Sequence, residues 1–97
     1  MSERNKFSHK INGNMYIVKY TTLLPEGTRG DCSDPREPHR VIRINSRLGH
    51  QQHMEVLLHE FSHASYWFRC EEEIAAFSED TAAFMFRPDI APRLGLL

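Results

Sequence analysis

Two histidines stand four residues apart in the stretch EVLLHEFSHASYWFRCEEEIAAF, His59 and His63, with Glu60 directly after the first. On a helix, residues i and i+4 share one face about 6 Å apart along the axis. Both imidazoles can therefore point at one cation, at Zn–N distances of about 2.0–2.1 Å. Glu60 is turned about 100° away from His59. It does not compete as a ligand, and it can reach the fourth coordination position, where a carboxylate takes a proton from water. The chemistry this pattern implies is metal-assisted hydrolysis.

A catalytic zinc usually has three protein ligands. The extended pattern HExxHxxGxxH is absent, because Tyr66 and Arg69 occupy the places of its glycine and last histidine. A carboxylate beyond the seven-residue link ASYWFRC is the alternative, and Glu71, Glu72 and Glu73 all qualify. A ligand between two helices should border the apolar stripe of the second, taken as Ile74, Phe77, Thr81 and Phe84. That favours Glu73, with Glu72 as the alternative and Glu71 expected at a frayed end. Asp80, about two turns on, can orient a ligand histidine through a hydrogen bond. Tyr66 is the candidate oxyanion donor, with Tyr16, Tyr20 and His39 as rivals.

LLHEFSHASYWF followed by EEEIAAFSED resembles the gluzincin branch of the zincins, and more narrowly the compact phage and bacterial metallopeptidase domains related to the ImmA/IrrE group. The likeness spans about residues 40–86. It implies one catalytic Zn2+ held by His59, His63 and a glutamate of the next helix, with Glu73 on the family's ligand position. It implies Glu60 as general base and a protein or peptide substrate. It also implies that RVIRIN is an edge strand beside the cleft, so that Val41, Ile42, Arg43 and Ile44 would bind extended substrate by strand addition.

The elements that must position these groups read as α+β: a short sheet followed by two helices, in a single domain spanning 1–97. Residues 14–24, rich in β-branched and aromatic types, predict a strand. Residues 40–45 alternate and predict a second. Residues 25–39, dense in Pro, Gly and Asp, predict an irregular loop, and residues 1–13 predict a polar, frayed start. From about Gln51, Met54, Leu57, Leu58, Phe61, Ala64, Ser65 and Phe68 recur at helical period and predict the core face. His59, His63, Val56 and Tyr66 fall opposite. Trp67 and Phe68 are expected to pack, and His9, His50 and His53 to lie on the surface. A second helix begins near Glu71, where acidic residues suit the positive end of the dipole, and ends before Pro88.

The bulk numbers exclude several classes. Ninety-seven residues suffice for one domain. Twelve basic residues against thirteen acidic leave a net charge of -1 and no cationic stripe for nucleic acid. No apolar run approaches the roughly 18 residues of a membrane span, and the polar start lacks a secretory apolar segment. A cytoplasmic protein with Cys32 and Cys70 as free thiols is expected. Two other readings compete with a peptidase. One is a zinc-stabilised interaction module without catalysis, and the other is a latent enzyme whose tail, APRLGLL, covers the cleft.

Overall fold

The computed structural model describes residues 5–96. Its elements are β1 (Lys6–Ile11), β2 (Asn14–Thr21), β3 (Gly30–Cys32), β4 (Val41–Asn45), α1 (His50–Ser65), α2 (Glu71–Met85) and a 3-10 helix (Ala91–Leu94). The α+β expectation holds, with a larger sheet: four strands in the order β1-β2-β4-β3. β1 runs antiparallel to β2, β2 parallel to β4, and β4 antiparallel to β3.

Two of these strands lie in segments expected to be irregular. β1 exists because Asn12-Gly13 closes a two-residue hairpin. Both residues have positive φ, 50° and 84°, as such turns require. β3 forms inside the Pro-rich stretch because β4 offers it an unpaired edge. The expected strand at 14–24 ends at Thr21, and 40–45 is β4.

α1 covers one face of the sheet. Tyr16, Val18, Ile42 and Ile44 are buried beneath α1 with Ile11, Val56 and Ala64. α2 rides on α1 and has no substantial contact with the sheet. The molecule is thus a stack of sheet, α1 and α2. The hairpin turn also fastens α1, since Asn12 Nδ2 donates to the Ser65 carbonyl at 3.1 Å and satisfies one of the orphan acceptors of the last turn.

Of the expected faces, Ala64 on α1 and Ile74 on α2 are buried, and most of the large residues are not. The buried residues of α1 are Val56, Glu60 and Ala64, and those of α2 are Ile74, Ser78 and Ala82. Phe61 is 46 % exposed, Phe68 82 %, Phe77 53 % and Phe84 60 %. Small residues at the contacts let the backbones approach closely, and the aromatics are left flanking them. Phe68 lies under the Arg36 guanidinium, 5.2 Å from the ring centre, rather than in the core. No helix among the described residues is long and apolar enough to cross a membrane.

Candidate metal centre and cleft

α1 ends at Ser65, and the chain reverses through Tyr66–Cys70 before α2 begins at Glu71. Glu71 sits three, seven and eleven residues before Ile74, Ser78 and Ala82, so it heads the face that packs on α1. His59 and His63 meet it there. His59 Nε2 is 3.0 Å from Glu71 Oε2, and His63 Nε2 is 2.8 Å from Glu71 Oε1. The two imidazoles are 4.8 Å apart centre to centre, and the edge of Trp67 closes on His63 at 6.1 Å.

The donor set suits zinc. One atom from each of His59, His63 and Glu71 lies within 4.8 Å of the others. Tetrahedral bonds of about 2.0–2.1 Å space ligand atoms about 3.3 Å apart, a spacing that falls within this grouping.

The carboxylate brought to the two histidines is that of Glu71, rather than that of Glu73 or Glu72 as expected. The cause is the phase of α2, because its inward face follows Ile74, Ser78 and Ala82 rather than Ile74, Phe77 and Phe84. Two residues on from Glu71 is about 200° around the helix, which turns Glu73 away. It lines a groove with Ser62, Tyr66, Arg69, Ile74 and Phe77. Glu72 accepts from Cys70 Sγ at 2.7 Å, which holds its carboxyl below the usual range. Asp80 is exposed, and among the described residues it neither bonds nor pairs with His59 or His63.

Among the described residues, Glu60 is the one buried carboxylate, 7 % exposed. Burial first, and then the charges of Asp31 and Glu71, push its carboxyl up to about 7. It faces a cleft of about 230 Å³ that it shares with His59, between residues 27–30 and the Glu55–Glu60 turn of α1. No residue after Glu60 lines that cleft. The chain leaves the far end of α2, roughly 20 Å from Glu71, and among the described residues of the tail, 91–96, none covers it; Leu97 lies outside the described residues.

The strand beside this cleft is β3, which corrects the assignment of Val41, Ile42, Arg43 and Ile44. β4 is paired on both sides, with β2 and with β3, so its backbone has no free edge. On β3, the Arg29 carbonyl accepts from Asn45 N at 2.8 Å, and Ser33 N donates to the Val41 carbonyl at 3.0 Å. Antiparallel pairing alternates, so the backbone groups of Gly30 and Cys32 face the open edge. Nothing in the short stretch TRGDC announced this strand, and only the edge of β4 creates it.

Tyr66 caps α1 with its ring beneath the Arg69 guanidinium, and it is 62 % exposed. Its groove shares no residue with the cleft of Glu60, so the oxyanion role is not supported. Of its rivals, Tyr16 is buried and donates to the Ser33 carbonyl at 3.0 Å. The Tyr20 hydroxyl is 2.5 Å from His53 Nε2, which places His53 against the sheet rather than on the surface. Both cysteines are free, Cys32 half-buried and Cys70 exposed. Compared with known proteins, the chain matches no family model, no curated protein and no solved structure.

Proposed function

We propose that this chain is a zinc-dependent peptidase of the HExxH type, with His59, His63 and Glu71 as ligands and Glu60 as general base. One observation carries the reading: a buried carboxylate, Glu60, shares a cleft with His59, whose Nε2 converges with His63 Nε2 on the carboxylate of Glu71. A purely structural zinc needs no such carboxylate. A bound zinc would polarise a carbonyl and acidify water.

The chain supplies the rest. Gly30 and Cys32 offer backbone donors and acceptors along β3, suited to an extended peptide added as a fifth strand. Glu60, at the back of the cleft, takes a proton from water on a carboxylate oxygen and delivers it to the departing nitrogen. Residues 27–30 and α1 wall the site and limit water. The resemblance to gluzincins supports this reading through the same residues, with Glu71 in place of Glu73.

The test is elemental analysis joined to cleavage of a peptide library. Wild type, Glu73→Gln and Glu60→Gln should carry about one zinc each. His59→Ala and His63→Ala should carry none, and Glu71→Gln should bind at least about tenfold more weakly. Glu60→Gln should lose about 100-fold or more in cleavage rate. Wild type without zinc, or cleavage that survives Glu60→Gln, overturns the proposal. Zinc bound with no cleavage of any peptide makes the metal structural.

A further inference from the structure

Among the described residues nothing covers the outer face of the sheet, and its chemistry is unusual for an uncovered face. Register places Lys6, Lys19, Arg43 and Asp31 in one row across all four strands. Arg43 is paired with Asp31. Lys6 and Lys19 stand directly opposite one another, an arrangement that destabilises a strand pair, and among the described residues neither forms an ion pair. The next row carries Ile17 and Val41, and Met15 follows beside Lys10. Ile17 is 42 % exposed and Met15 49 %. A concavity of about 500 Å³ runs over Lys6, Ile17, Lys19 and Val41. Parallel strand pairs such as β2–β4 normally have both faces covered, so both topology and charge ask for an acidic, partly apolar cover.

At the opposite end of the stack, α2 has that composition. Its outward stripe, at helical spacing, is Glu73, Phe77, Asp80 and Phe84, and no Lys or Arg lies within the helix. Both phenylalanines are more than half exposed, and among the described residues neither Glu73 nor Asp80 forms an ion pair. The two uncovered faces complement each other, but one molecule cannot join them, because α1 lies between.

We propose that the outer sheet face binds α2 of a second copy of this chain, Phe77 and Phe84 over Met15, Ile17 and Val41, and Glu73 and Asp80 toward Lys6, Lys10 and Lys19. The contact is head-to-tail, so it does not close at two and assembly grows with concentration. It rests on exposed charges and is weakened by salt. It is independent of the metal.

Sedimentation velocity tests this on the full chain from about 10 to about 500 µM, in about 20 mM salt and in about 500 mM salt, where screening reaches within a few ångströms. The average mass should climb past the dimer at low salt and return toward the monomer at high salt. Lys19→Glu, which disables the sheet face, and Phe77→Ser, which disables α2, should each stay monomeric alone. Mixed in equal amounts they should form a dimer and stop there, since the intact α2 of the first fits the intact sheet of the second and both remaining ends are disabled. A wild type that stays monomeric throughout overturns the proposal. So does a dimer that never grows further, or a mixture no larger than its components.

Discussion

Gly30 lies flush against Glu60. A Cβ at Gly30 would stand 3.3 Å from Glu60 Oε2, 2.7 Å from Val56 Cγ1 and 3.0 Å from the Arg43 carbonyl. The missing side chain is what lets the turn of α1 that carries the buried carboxylate press onto the edge strand. Gly30→Ala should therefore force α1 and β3 apart and cost about 1–3 kcal/mol, read as a lower urea midpoint with unchanged slope. Val56→Ala in the same chain should recover part of that loss beyond additivity, because it removes the nearest clash. If the two costs simply add, α1 and β3 do not meet as described.

The HExxH pair and the acidic start of the second helix were legible because both follow from spacing along one helix. Which carboxylate meets the two histidines was not, because it depends on the phase of α2. Large apolar residues suggested an inward stripe of Phe77 and Phe84, whereas Ser78 and Ala82 make the contact. The same preference for bulk put Leu58 and Phe61 on the core face of α1 and left Val56 off it, while Ala64 is buried as its spacing predicts. The Asn12-Gly13 pair is a hairpin signal in its own right, but the polar residues before it give β1 no apolar alternation to accompany it. β3 carried no local signal, and with it went the identity of the edge strand and the importance of Gly30.

Zinc should stabilise the fold as well as serve the chemistry, since it would tie α2 to α1 at the only end where a turn of five residues joins them. At free zinc about 100-fold above Kd the gain is about 2.7 kcal/mol, or roughly 10–20 °C in Tm for a domain this size. A chelator should remove the gain. His63→Ala should show no zinc-dependent shift, while Glu73→Gln should keep it, and a shift of equal size in both variants would place the ion elsewhere.

Asn12 holds two elements together. It accepts a φ of 50°, which few residues other than glycine tolerate cheaply, and its amide caps the last turn of α1. Asn12→Ala should lose both and cost about 1–2 kcal/mol. Asn12→Gly should keep the turn and lose only the cap, so its cost should be smaller. Urea melts of the two variants separate the contributions. Equal losses would mean that the backbone conformation contributes nothing.

Stability should fall in alkali through two buried groups. Burial is the main cause that raises the Tyr16 hydroxyl from 10.0 to about 12, with Cys32 beside it adding to the rise. Burial likewise raises the Cys32 thiol from 9.0 to about 12, helped by the charge of Glu60. In the unfolded chain both groups lose their protons near their ordinary values, while the folded chain retains them. Unfolding therefore releases protons above about pH 9, and stability declines with each further rise in pH until the folded groups also ionise. The urea midpoint should be level from about pH 7 to about pH 8.5 as far as these groups govern it, then drop. Cys32→Ala should delay the onset toward the tyrosine's range, because the group that ionises first in the unfolded chain is gone. The exposed Cys70 gives a control within the same molecule. At about pH 8 it should react with a thiol reagent far faster than Cys32, and equal rates for the two thiols would contradict the packing of β3 beneath α1.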